Sequence, residues 1–185
     1  TNYPKLKDKI KRDDFLKLNI RKEFKNNISI IGNFPYNISS QIIFKILENK
    51  NQINEVVGMF QKEVAERLVA KKGRKRGILS VFTQAFYNIE YCFTINENVF
   101  SPKPKVKSAV IRLDRNNRVS LECDEDLFFK IIKSSFNQRR KTLKNALKSF
   151  NLLNSKEISE LLTRRAEELT VEDFINITLH VQKNK

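Results

Sequence analysis

The chain has 185 residues, with 36 lysines and arginines against 21 acidic residues and a formal net charge of +15. That length sustains one or two domains with a real core, and the charge excess favours a nucleic-acid partner, because acidic residues would serve solubility as well. A single histidine, His180, and two distant cysteines, Cys92 and Cys123, exclude a histidine-dependent triad, a histidine-rich metal site and a disulfide framework.

Residues 1–12 are polar and basic and end in a short segment, Lys7–Arg12, and Thr1 is not expected to be the natural start. Asp13, Asp14, Phe15 and Leu16 follow. Ile28–Gly32 is an uninterrupted small and apolar run and reads as the first buried strand. A polar turn, Asn33-Phe34-Pro35-Tyr36, comes next, then a helix through about Glu48 with Ser39 or Ser40 as its cap and Ile42, Ile43, Ile46 and Leu47 on one side. Glu55–Phe60 reads as a central strand and Lys62–Ala70 as a helix, followed by a flexible basic loop, Lys71–Gly77. Ile78–Tyr87 has helical spacing, whereas Asn88–Ile95 and Val106–Leu113 read as strands. Between those strands, Pro102 and Pro104 leave no regular ladder, so the segment is a fixed loop. After a composition shift at Asp114–Asp126 the pattern is helical: Asp126–Phe136, Arg140–Phe150, Lys156–Leu162 and Val171–Val181. The expected organisation is an α/β part over residues 1–118 and a small all-helical domain over 119–185. No apolar run reaches the ~18 residues that a membrane helix needs, so no membrane association is expected and a cytoplasmic location is the default.

The turn after the first strand carries the most chemistry. Ligands sit at the carboxyl ends of strands in open α/β sheets. The Asn33 amide oxygen and the Pro35 carbonyl can both accept from one exocyclic amine, and the Tyr36 ring can stack on the base that bears it. The bland alternative is an Asn-Pro turn with a surface tyrosine.

Three basic clusters surround this picture. Lys71, Lys72, Arg74, Lys75 and Arg76 lie in the loop; Lys103, Lys105 and Lys107 lie beside the proline segment. From Leu127 to Lys156 the bases Lys130, Lys133, Arg139, Arg140, Lys141, Lys144, Lys148 and Lys156 occur with no acidic residue between them. Solvated helix faces usually mix both signs, so this run argues for phosphate contact. Such contacts position RNA more than they read sequence.

Asn33-Phe34-Pro35-Tyr36 resembles the Asn/Asp-Pro-Pro-Tyr signature of amino-methyltransferases that use S-adenosylmethionine. The longer string Gly32–Ser40, together with Gln61–Leu68, Phe100-Ser-Pro-Lys-Pro-Lys-Val-Lys-Ser-Ala-Val110 and Phe136–Asn145, resembles the KsgA/RsmA family of small-subunit rRNA adenine dimethyltransferases. The resemblance implies the later part of a Rossmann-like, S-adenosylmethionine-dependent methyltransferase sheet followed by a helical RNA-binding domain. It implies that Asn33, Pro35 and Tyr36 hold the target adenine and that Phe100 sandwiches it from the other side; the alternative for Phe100 is a core residue anchoring a proline loop. Phe34 stands where leucine is common and is expected to pack beneath the turn. The resemblance further implies that Asp14, ending a strand, accepts from the cofactor's adenine amine, with Asp13 as fallback, that the Phe15 backbone meets the ring edge, and that Asn33 borders the cofactor. RNA contacts fall to Lys71, Lys72, Arg74, Lys75, Arg76, Lys103, Lys105, Arg139, Arg140, Lys141 and Lys144. Glu63, Glu66 and Arg67 are expected to be structural. The implied substrate is a hairpin of small-subunit rRNA, in a pre-30S particle, and the implied cofactor is S-adenosylmethionine.

The glycine-rich turn with which the family's cofactor site begins does not occur among Gly32, Gly58, Gly73 and Gly77. The sequence is therefore expected to lack the N-terminal cofactor-binding part, to bind cofactor poorly and to be nearly inactive alone, with a sheet edge open to dimerisation. Two competing readings are an Erm-type methyltransferase of large-subunit rRNA, which shares the Asn-x-Pro-Tyr turn, and a non-catalytic RNA-binding assembly factor.

Overall fold

A computed structural model describes residues 4–150, 152 and 156–184; Thr1 and the side chain of Lys156 lie outside the described residues. A sheet of four strands runs in the order β1 (Ile28–Asn33), β2 (Ile53–Gln61), β4 (Ser108–Arg115), β3 (Tyr87–Ile95). β1 and β2 are parallel, joined by helix α2 (Ser39–Glu48), whereas β4 is antiparallel to both of its neighbours. A four-residue helix, α1 (Ile20–Glu23), precedes the sheet. Helices α3 (Lys62–Val69) and α4 (Ile78–Phe86) connect β2 to β3.

One sheet face carries the core. Val56, Phe60, Ala109, Ile111 and Leu113 are buried there beneath Ile42, Ile43 and Ile46 of α2, Leu68 of α3 and Val81 of α4. The alternation of two in the strands and the 3.6 repeat in the helices bring these side chains to one layer. β1 departs from the expected buried strand. Its residues alternate between half-buried and exposed, and Ile31 is 86% exposed. It is an edge strand among the described residues, and α2 covers only one of its faces. A short apolar run does not distinguish the edge of a sheet from its centre.

Beyond β4, helices α5 (Glu125–Asn137), α6 (Leu143–Ala146), α7 (Lys156–Thr163) and α8 (Val171–Lys183) form the helical part. Phe128, Ile131, Phe174 and Ile177 extend the same hydrophobic core rather than forming a separate one. The expected helix Arg140–Phe150 is a correction. Gln138 to Lys141 form a turn closed by the Lys141 amide on the Gln138 carbonyl, Thr142 is extended, and helix occupies only Leu143–Ala146 before a 3-10 turn at Lys148–Phe150. The Leu143 amide is committed to the carbonyl of Arg164, 2.9 Å away. That long-range bond fixes the start of the helix and overrides the local pattern.

Candidate active site and nucleic-acid interface

The tetrapeptide turn is built on two glycines. Phe34 is 9% exposed and its ring lies over Gly32 and Gly58, the paired residues of β1 and β2. A methyl group on Gly58 would meet Phe34 Cδ2 at 2.8 Å and Phe60 Cε2 at 2.7 Å, so neither strand can carry a side chain there without displacing a ring. Phe34 also stacks obliquely on Phe60, with centroids 5.0 Å apart, and its amide donates to the Met59 carbonyl. Phe34 therefore anchors the turn from beneath, as expected, and leaves Asn33, Pro35 and Tyr36 above it.

These three residues line a cleft of about 340 Å³ together with Phe100, Pro102, Pro104 and Met59. Segments far apart in sequence thus meet at the carboxyl end of β1. Asn33 and Pro35 are exposed, and Tyr36 and Phe100 are half-buried. The Tyr36 hydroxyl hydrogen-bonds that of Ser108, the first residue of β4. A 3-10 turn at Tyr36–Ile38 leads into α2, and Ser39 donates its hydroxyl to the Tyr36 carbonyl at 3.1 Å. Ser39 is thus not the side-chain N-cap that its position suggested. Met59 and Ser108 were not singled out from sequence as site residues. Ser108 was legible only as part of the Phe100–Val110 string, which says nothing of its partner 72 residues away.

Asp14 does not end a strand. It lies in an exposed turn: its carboxylate accepts from the Leu16 amide at 3.0 Å, and its carbonyl accepts from the amides of Lys17 and Leu18. Asp13 accepts from the Asp14 amide at 2.8 Å. Paired aspartates offer the backbone local acceptors that compete with a ladder, and this turn is what they make. Phe15 is half-buried against the core.

The basic residues divide into two kinds. Lys71, Lys72, Arg74, Lys75, Lys103, Lys105, Arg140, Lys141 and Lys144 are exposed. Two of these also hold ion pairs, Lys75 with Glu66 and Lys103 with Glu97. Arg76 is different: it is 1% exposed, and its guanidinium donates to the Ala70 carbonyl at 2.8 Å and to Gln84 at 2.6 Å. Burial pulls its pKa down to about 10 against the attraction of Glu172 and Asp173. The Arg76 side chain is therefore structural here, a correction to its place among surface contacts.

Nor is the loop a free finger. The Gly73 amide donates to the Glu167 carbonyl at 2.9 Å, while Arg139 pairs with Glu167 and donates to the carbonyls of Gly73 and Arg74. Arg139, half-buried, holds the loop against the helical part. Among the described residues no group of histidine, cysteine and carboxylate side chains could hold a metal ion, and no helix is long and apolar enough to cross a membrane.

The sequence profile of ribosomal RNA adenine dimethylases matches residues 3–183. The chain belongs to that family. Among the dimethylase-family relatives, the ribosomal RNA small subunit methyltransferase A of Cytophaga hutchinsonii is 56% identical over 95% of this chain and 69% of its own length. That of Flavobacterium johnsoniae is 56% identical over 98% of this chain and 70% of its own length. Two solved structures share the fold. A dimethyladenosine transferase from Plasmodium falciparum superposes with a TM-score of 0.78 at 24% identity, covering 94% of this chain and 72% of the other. The 23S rRNA methyltransferase ErmE superposes with a TM-score of 0.69 at 20% identity, covering 91% and 70%. Methyltransferases of this class use S-adenosylmethionine as the methyl donor.

Proposed function

We propose that the protein transfers methyl groups from S-adenosylmethionine to N6 of two adjacent adenosines in a 3′-terminal hairpin of small-subunit rRNA, during assembly of that subunit. The observation that carries this reading is the single cleft that collects Asn33, Pro35, Tyr36 and Phe100. Membership of the dimethylase family and the names of the relatives at 56% identity supply the substrate.

The target base leaves its stack and enters between Tyr36 and Phe100, whose rings offset the cost of unstacking. Its exocyclic N6 donates to Asn33 Oδ1 and to the Pro35 carbonyl. An aromatic amine delocalises its lone pair into the ring, and two acceptors outside the ring plane favour a pyramidal nitrogen with that pair free. Positioning then supplies most of the acceleration. The cofactor supplies an electrophilic methyl group. Asn33 borders both ligands, while Asp14 and Phe15 are the other described residues proposed for cofactor contact. Their chemistry fits a share of that role, since the Asp14 Oδ2 is left over from the turn, 4.0 Å from Lys17. The surplus proton leaves N6 for water after transfer, so no strong base is required.

Phosphate contacts fall to the exposed cations Lys71, Lys72, Arg74, Lys75, Lys103, Lys105, Arg140, Lys141 and Lys144, with Arg139 fixing the loop that presents the first four. The α/β unit over residues 1–118 holds the base and shares the phosphate contacts with the helical unit over 119–185.

The test is methyl transfer to isolated ribosomal subunits by the protein expressed from its complete coding sequence. Label should enter small-subunit RNA at two adjacent adenosines. Label in large-subunit RNA alone would establish the Erm-type activity instead. RNA binding without transfer to either would leave an assembly factor.

A further inference from the structure

Six serines and threonines are buried among the described residues: Ser39, Ser80, Thr83, Ser108, Ser135 and Thr178. Five of them donate to a backbone carbonyl, on Tyr36, Arg67, Leu79, Ile131 and Phe174 respectively. This is the ordinary way for a buried hydroxyl to be satisfied. Ser108 is the exception, because its partner is the Tyr36 side chain in the cleft.

Ser108 is itself rigidly placed. It is fully buried and pairs with Gln61 of β2 on one side and Ile95 of β3 on the other. The residue before it, Lys107, accepts from the Lys62 amide at 2.9 Å. Tyr36 lies in a short 3-10 turn whose first residues have no side-chain cap, and its ring borders an open cleft. The turn alone leaves the ring's two side-chain torsions to local packing. A bond from its far end to the first residue of the inner strand β4 fixes both.

We propose that Ser108 is a positioning residue for the transfer: it tethers the Tyr36 hydroxyl so that the ring presents a fixed face to the target base. The inference rests on the proposed role of Tyr36 as a stacking platform. It concerns orientation rather than chemistry, since Ser108 does not touch the base. A loose ring still allows RNA to bind through phosphates, but it spreads the base over orientations in which N6 is off line.

The test uses the protein from its complete coding sequence, Ser108→Ala, Tyr36→Phe, their double variant and Tyr36→Ala. Each is checked for folding by thermal melting. Losing one hydrogen bond that matters only for orientation should lower kcat about three- to tenfold and leave the KM for RNA within about twofold. Ser108→Ala and Tyr36→Phe remove the same bond, so the double variant should be no slower than either single one. A hairpin with 2-aminopurine at the target position gives a second readout. Its fluorescence lifetimes should be short and uniform in the complex, broadened alike by Ser108→Ala and Tyr36→Phe, and lengthened most by Tyr36→Ala. If Tyr36→Ala lengthens them while Ser108→Ala matches the parent, or the two single losses multiply in the double variant, the tether is overturned and the stacking role stands. If Tyr36→Ala leaves them unchanged, the stacking role fails and the tether with it. Should Ser108→Ala not fold, Tyr36→Phe breaks the same bond from the cleft side, and parental kcat and lifetimes in that variant overturn the inference.

Discussion

Tyr87 and Arg76 show what burial does to single polar groups in this fold. The Tyr87 hydroxyl is buried and donates to the Ile53 carbonyl at 2.8 Å, tying the start of β3 to the start of β2. Burial raises its pKa above the usual 10.0, against the pull of Arg115. The neutral form is favoured in the folded state. The stabilisation is therefore fully present below pH 10 and is lost as pH rises further, because the unfolded chain ionises first. Tyr87→Phe should cost about 1–3 kcal/mol at neutral pH, through the carbonyl left unpaired. It should also lose less stability than the parent between pH 10 and 11, as read by urea unfolding. Arg76 carries the opposite strain, since burial disfavours its charge and hydrogen bonds to Ala70 and Gln84 hold it in place. A basic residue in a basic loop looks in sequence like a surface contact. Only the burial and the bond to Gln84 of α4 separate it from Arg74 and Lys75.

At the scale of elements, the turn at the end of β1 depends on two strands being thin where Phe34 crosses them. Gly58→Ala should push the Phe34 and Phe60 rings apart at a cost of about 1–3 kcal/mol. It should also lower methyl transfer by shifting Asn33 and Tyr36, with the stability read by thermal melting and the activity on small-subunit RNA. Periodicity located β2, β3, β4 and helices α2 to α5, α7 and α8 within a few residues, because a continuous face or stripe of apolar residues marks each. It failed where tertiary bonds or local side-chain acceptors decided the backbone. Asp13 and Asp14 close a turn instead of ending a strand. Thr142 interrupts the expected second helix of the helical part, whose Leu143 amide answers to Arg164. The exposure of Ile31 depends on what neighbours β1, which no property of its own five or six residues encodes.

The molecule as a whole separates two tasks. One end of the sheet gathers a small apolar cleft edged by hydrogen-bond acceptors, with Lys103 and Lys105 beside it on the proline segment, while further exposed cations lie on the loop and the helical part. Its parts were legible because the Asn33–Tyr36 and Phe100–Pro104 strings each name an aromatic beside acceptors or prolines. Their meeting was not, since it depends on the β1-β2-β4-β3 order that brings β4 beside β2. Basic residues were legible by count, but which of them face solvent was not: Arg139 clamps the loop through Glu167 and its backbone rather than standing free. If base capture and phosphate binding are separate, they should be separable by substitution. The most direct measurement is methyl transfer to small-subunit RNA by Asn33→Ala, in the protein from its complete coding sequence, beside its RNA affinity over a range of salt. The account predicts transfer reduced by about 100-fold or more, through loss of the acceptor that orients N6, with affinity and its salt dependence within about twofold of the parent. Transfer at the parental rate, or a fall in activity matched by an equal fall in RNA affinity, would contradict it.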